Sequence, residues 1–457
     1  MKQTFTLKEK TLQLIQLLFP VFVTQVGLYA MNFADVTMSG HASAQDLAGV
    51  AIGSNIWVPV FTGLSGILLA LTPVVSHHLG AKRPEQIPYS VMQAIYLAVT
   101  IALLVLFIGS LVLQNLLNTM NLEERVRTIA HDYLVALSFG IIPLFIYHVL
   151  RCFIDALGQT KITMFITLTA LPVNIVFNYL LIYGKLGFPK LGGVGAGYAT
   201  TITYWFCLSL VLLVVWKLRP FSDYGIFRRF YPLSLSAWKE LLKIGMPIGF
   251  AIFFETSIFA AVTLLMSQFN TATIAAHQSA INFASLLYMI PLSVSMALTI
   301  AVGFEAGAKR YQDAKQYSFL GIGVAIGTAI ATSLFLYIFR GEVAALYTND
   351  HDVWLLTKHF LLYAIFFQFS DAVAAPIQGA LRGYKDVNAA FVAALLSYWV
   401  IGLPVGYVLA NFTSAEAFGY WIGLITGLAA GAFFLSFRLL HVQKKYKYSE
   451  KKAEKAC

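Results

Sequence analysis

Long apolar runs recur along almost the whole chain, and they constrain its fold more than any other feature. They cover roughly residues 12–38, 47–75, 89–116, 128–150, 162–184 and 193–216. A polar stretch follows, and then come 240–267, 273–304, 316–339, 354–378, 387–410 and 415–437. Each is long enough to cross a hydrocarbon core of about 30 Å as a helix, some with tilt. Helices are required because every backbone polar group in lipid must be satisfied internally. A β-barrel would instead show alternating segments of about ten residues. Composition agrees: 11% of residues are charged, whereas a soluble domain carries about a quarter. The first run is too long for a signal-peptide core and has no small-residue cleavage pattern, so it reads as the first span.

Charge placement sets the orientation. With the N-terminus in the cytoplasm, 25 of the 31 Lys and Arg residues fall on the inner side and six on the outer, as the positive-inside rule requires. The net charge of +10 therefore reflects topology and implies no nucleic-acid partner. The expectation is a multi-pass protein of the inner (cytoplasmic) cell membrane with both termini cytoplasmic, most simply a monomer. The basic run from Lys444 to Lys455 reads as a solvated tail held near anionic membrane lipid. Cys152, Cys207 and Cys457 lie far apart and suggest neither a disulfide framework nor a zinc site. His77, His78 and His277 form no metal cluster, and no P-loop is present. Without a nucleophile–base or metal set, the chain reads as no enzyme and needs no cofactor beyond a coupling ion.

The polar stretch divides two sets of six spans that resemble each other. Leu18-Phe19-Pro20-Val21 matches Gly245-Met246-Pro247-Ile248 at an offset of 227, and Gly80-Ala81-Lys82-Arg83 matches Gly307-Ala308-Lys309-Arg310 at the same offset. Ala156-Leu157-Gly158-Gln159-Thr160-Lys161 matches Ala380-Leu381-Arg382-Gly383-Tyr384-Lys385 at 224. Six spans per half is an even number, so both halves enter the membrane the same way and form parallel repeats, as in secondary transporters. The predicted fold is an all-α membrane protein of twelve transmembrane helices in two pseudo-symmetric six-helix lobes around a central cavity. The expected divisions are an N-terminal lobe over 1–216, a cytoplasmic linker over 217–239, a C-terminal lobe over 240–440 and a basic tail over 441–457.

Acidic groups inside spans are costly and mark ion or proton paths. Asp35, Glu255 and Asp371 stand out, and no Lys or Arg is expected deep in any span to pair with them. Burial without a counter-charge raises a carboxyl pKa or selects a bound cation such as sodium, and either outcome suits ion coupling. In span five, Asn174 and Asn178 are four residues apart and face the same way beyond Pro172. Their oxygens could complete a cation shell near Asp35, or simply join helices by hydrogen bonds. Thr200 and Thr201 offer hydroxyls, and the run Gly192 to Gly197 suits close helix packing.

These residues together resemble the multidrug and toxic compound extrusion (MATE) family, in its bacterial NorM-like branch, over essentially the whole chain. The segments that carry the resemblance are Asp35-Val36-Thr37-Met38-Ser39-Gly40, Pro172-Val173-Asn174 with Asn178, Glu255, and Ser370-Asp371-Ala372 followed by Gly379-Ala380-Leu381-Arg382-Gly383-Tyr384-Lys385-Asp386. The resemblance implies an antiporter that expels amphipathic, often cationic drugs and toxic organic compounds in exchange for sodium or protons. It implies a cation site at Glu255 and Asp371, which would be the sodium ligands, and a second acidic site at Asp35 with Asn174. Tyr288 and Phe259 match aromatic positions of the drug cavity, where ordinary bundle packing also places aromatic rings. Phe367 stands where relatives often have Tyr, and Asn178 where others have Asp. Losing an oxygen and a carboxylate leaves the coupling ion open between sodium and proton. A lipid-linked precursor flippase is the rival reading, but it would need a basic cavity.

Overall fold

The apolar runs fold as helices throughout a computed structural model that describes residues 1–120 and 122–454, with side chains from 447 onward left aside. In chain order the helices are α1 (Leu7–Ala42), α2 (Ala44–Leu68), α3 (Leu71–Gly80), α4 (Ile87–Thr119), α5 (Glu124–Ser138), α6 (Ile141–Ala156), α7 (Thr160–Tyr183), α8 (Gly193–Lys217), α9 (Phe221–Tyr224) and α10 (Leu235–Leu265). They continue as α11 (Thr271–Gly307), α12 (Tyr311–Ala345), α13 (His351–Gly383), α14 (Asn388–Ala394), α15 (Leu403–Phe412) and α16 (Phe418–Glu454). Among the described residues, 11 helical segments are long and apolar enough to cross a membrane. A twelfth is the pair α5 and α6, bent by 52°. That pair is the span expected over 128–150. The basic tail begins within α16, and residues 455–457 lie outside the described residues.

Large apolar side chains stand exposed on α4 and α12, among them Phe107, Leu111, Ile330 and Leu334. In water such a surface would be a liability, whereas in lipid it is the ordinary outer face of a bundle. The enclosed positions of α11 and α13 include many small residues, Ala, Gly and Ser on α11 and Ala and Gly on α13, which lets backbones approach closely. At Gly379 α13 comes closest to α11: a Cβ there would fall 2.1 Å from the carbonyl oxygen of Ser295.

The chain separates into two compact units. One comprises residues 23–78 and 83–245, here the N-terminal unit, and the other 1–22, 79–82 and 246–457, the C-terminal unit. Helix α1 is therefore shared, and its first turns belong with the second half. Lys10 explains why: its Nζ is buried and donates to Asp313 Oδ1 at 2.5 Å and Gln316 Oε1 at 2.6 Å on α12. The hydroxyls of Thr4 and Tyr317 hydrogen-bond at 2.9 Å beside it.

Repeated turn chemistry fixes the relation between the halves. The N-cap of α2 is Ser43, whose hydroxyl accepts from the Asp46 amide; the N-cap of α11 is Asn270, whose amide oxygen accepts from the Thr273 amide. Caps of this type satisfy the orphan donors of a first turn. Left-handed backbone follows at Lys82 and Lys309, and again at Gly158 and Lys385. Each of these four residues donates its amide to the carbonyl three positions back, and the next residue donates five back, the Schellman closure of a helix C-terminus. All three pairs are 227 residues apart. The loop after span four therefore aligns with that after span ten at 227, and not at the 224 read from the sequence. Glycine supplies the left-handed turn in one half and lysine in the other, so matching by residue type slips the register. Position 155 then corresponds to 382, and 151 to 378.

Candidate functional site

In the N-terminal unit, Asp35 of α1 is held by α7 and α8. Asn178 donates from Nδ2 to Asp35 Oδ1 at 2.6 Å, and Asn174 from Nδ2 to the same oxygen at 3.2 Å. Thr200 donates from Oγ1 to Asp35 Oδ2 at 2.7 Å. The two amides reach one carboxylate because four residues make roughly one helical turn. A further bond of 3.1 Å links Asn178 Nδ2 to Asn174 Oδ1, and all four side chains are buried. Three neutral donors thus satisfy a buried charge without a counter-ion. Among the described residues, Asn178 Oδ1 is a buried acceptor with no donor. Thr201 takes no part: its hydroxyl donates to the Ala136 carbonyl at 2.7 Å.

The C-terminal unit assembles a different cluster. Glu255 of α10 accepts from the Tyr288 hydroxyl of α11 at 2.9 Å, and the Tyr398 side chain lies beside it. Tyr398 sits in a widened turn over Leu395–Gly402, between α14 and α15. Pro404, which lacks an N–H, lies just beyond it, and such widened turns re-aim side chains at functional sites. Trp399, next in sequence, donates Nε1 to the Phe254 carbonyl at 3.2 Å and pins this turn against α10. Asp371 of α13 is buried within Coulombic reach of Glu255. It accepts no hydrogen bond among the described residues.

Arg382 is a buried cation at a helix end. It occupies the last turn of α13, is 6% exposed, and donates from Nη2 to Ser295 Oγ at 3.1 Å within Coulombic reach of Glu255. In the sequence it looks like one more basic residue of a cytoplasmic loop. The run Gln378-Gly379-Ala380-Leu381 before it was the available signal, since small residues draw α13 onto α11 and carry the arginine inward.

The predicted cavity residues divide. Tyr288 joins the carboxylate cluster. Phe259 and Phe367 pack edge to face at 5.8 Å, and Phe367 also meets Trp421 at 6.3 Å, so both belong to an aromatic core. His277, isolated in sequence, is a satisfied core residue that accepts from Trp421 Nε1 at 3.1 Å. Among the described residues, no group of three or more His, Cys, Asp or Glu side chains converges as a metal site.

Comparison with known proteins gives a consistent result. The MatE family model matches residues 20–180 and 247–408, two blocks that begin 227 residues apart. A protein of Geobacillus kaustophilus named "Probable multidrug resistance protein NorM" is 65% identical over 434 residues, covering 95% of each chain. One of the same name from Halalkalibacterium halodurans is 59% identical over 446 residues, covering 98% of this chain and 97% of the other. Among solved structures, the outward-facing conformation of a multidrug resistance MATE family transporter of the MOP superfamily superposes with a TM-score of 0.87. It covers 97% of this chain and 100% of the other at 17% identity, a likeness of fold.

Proposed function

This chain belongs to the MatE family, and from that premise we propose that it is a cation-coupled multidrug exporter of the cell membrane. It takes up sodium ions or protons in exchange for amphipathic organic cations, working as a monomer with both termini in the cytoplasm. The observation that carries this reading is the pair Glu255 and Asp371. These are a half-buried and a buried carboxylate within Coulombic reach of each other in a span-forming region, the first with a phenolic donor at 2.9 Å and the second with none among the described residues. Carboxylates this close cannot both stay ionised cheaply without a proton or metal ion between them. Binding of that cation is what the membrane potential can drive, at about 2.3 kcal/mol per charge per 100 mV.

In the mechanism, a proton or sodium ion from outside neutralises the pair, drug release accompanies it, and the reoriented carrier releases the cation inside and captures drug. Aromatic rings with one carboxylate bind varied organic cations without demanding one shape. The flippase alternative needs a basic cavity for a lipid pyrophosphate. Arg151 is neutralised by Asp155 at 3.5 Å, and the Glu255 cluster carries two carboxylates to one guanidinium, which is the wrong sign. Efflux of ethidium from cells lacking their own exporters tests the proposal. Uphill efflux that collapses when both sodium and proton gradients are dissipated is expected; accumulation identical to that of empty cells would overturn it.

A further inference from the structure

We infer that Arg382 is the resident counter-charge of the Glu255–Asp371 cluster, a fixed cation that competes with the transported one and so weakens and speeds its binding. The inference rests on the coupling reading of that cluster. Its foundation is a difference between the repeats. At 151 and 155 the N-terminal unit has Arg and Asp, paired at 3.5 Å and further held by Gln25 Oε1 on the arginine at 3.0 Å and by the Thr163 hydroxyl on the aspartate at 2.7 Å. The corresponding residues of the C-terminal unit are Gln378 and Arg382. Arg382 stands where the aspartate stood, and its own arginine position is a neutral amide. Among the described residues no carboxylate lies within ion-pair distance of Arg382, although it is buried.

An unpaired buried guanidinium is costly, so its field has to be answered nearby. Close packing at Gly379 brings α13 against the Ser295 carbonyl, and the Ser295 hydroxyl then accepts from the guanidinium. Ser295 and Tyr288 are seven residues apart on α11, about two turns, and share a face. The tyrosine hydroxyl touches Glu255. Arg382 is thereby held about two helical turns from Tyr288, within Coulombic reach of Glu255 and outside ion-pair distance of it. A contact pair would quench the carboxylate, while full separation would leave it to hold the transported cation too tightly. For charges about 10 Å apart at an effective dielectric of about 20, removing one alters the other's cation affinity by on the order of tenfold.

The experiment is drug efflux from proteoliposomes as a function of external coupling cation, for wild type, R382K, R382Q and Q378D. R382Q deletes the charge. Q378D neutralises it in place by supplying a carboxylate four residues before it, the N-terminal pair with its two charges exchanged, so a folding failure of R382Q leaves the question decidable. Both should lower the half-saturating cation concentration about tenfold and also lower the maximal rate, because release slows. R382K keeps the charge and should stay within about twofold of wild type in half-saturation. Unchanged half-saturation in Q378D, or in a folded R382Q, overturns the inference. E255Q is run alongside: wild-type cation dependence in that variant would instead remove the coupling reading beneath it.

Discussion

The two carboxylate sites of this transporter lie in repeats with the same turns and caps, yet they solve the cost of a buried charge in opposite ways. Asp35 is satisfied within its own unit by two amides and a hydroxyl, all neutral. Glu255 has a phenol at contact and a guanidinium held at a distance, while Asp371 beside it has neither. The first carboxylate has donors on both oxygens, with Asn178 Oδ1 beside it left as an acceptor without a donor among the described residues; the second site is short of positive charge at contact range. Since only differential stabilisation of two states can drive a conformational cycle, the incomplete site is the one suited to register an entering cation. Position 262, which corresponds to Asp35, is a valine, and position 28, which corresponds to Glu255, is a leucine. The repeat supplied the scaffold, and each half placed its charges independently.

The largest effect that would break this comparison is expected at the C-terminal pair. Glu255→Gln and Asp371→Asn should each reduce cation-driven ethidium efflux at least tenfold at normal expression, since each removes one of the two charges to which the proposed function assigns the cation. Asp35→Asn should be milder: a lower maximal rate, but a half-saturating cation concentration within about threefold of wild type. Asn178→Leu sharpens the contrast by stability. It removes the 2.6 Å donor from a buried carboxylate, so the melting temperature in detergent should fall, by an amount equivalent to about 1–3 kcal/mol. Smaller still is Phe367→Tyr. Positions 367 and 371 are one turn apart on α13, so the added phenol oxygen should tighten the cation site two- to threefold, read as half-saturation. No change would mean that the aromatic core holds the ring away from the cluster.

Much of this was legible in the sequence because lipid leaves few options. Twelve apolar runs became spans at nearly the expected limits, and Asn174 and Asn178 met Asp35 because helical spacing at i, i+4 is unambiguous. The Thr200 hydroxyl, offered by sequence as a candidate, proved to be the third donor. What stayed hidden depends on how helices press together. The inward turn of Arg382 follows from Gly379 at a crossing, and the place of Tyr398 beside Glu255 from a widened turn before Pro404. Packing of the first turns of α1 with the second half joins the buried Lys10 to Leu14 and Leu17, which enter the same core. None of these leaves a periodic trace. The slipped register at the fourth loop has a related cause: backbone conformation was preserved while the residue that adopts it changed from Gly158 to Lys385.

On the proposed function, the coupling cation binds in the C-terminal unit. The most direct test is drug-driven ion flux in liposomes, with sodium and proton gradients imposed separately on wild type, D35N and E255Q. The account predicts that one of the two ions moves against drug in wild type and in D35N, and that E255Q moves neither. Ion flux that survives in E255Q and vanishes in D35N would contradict it and assign the coupling to the N-terminal unit.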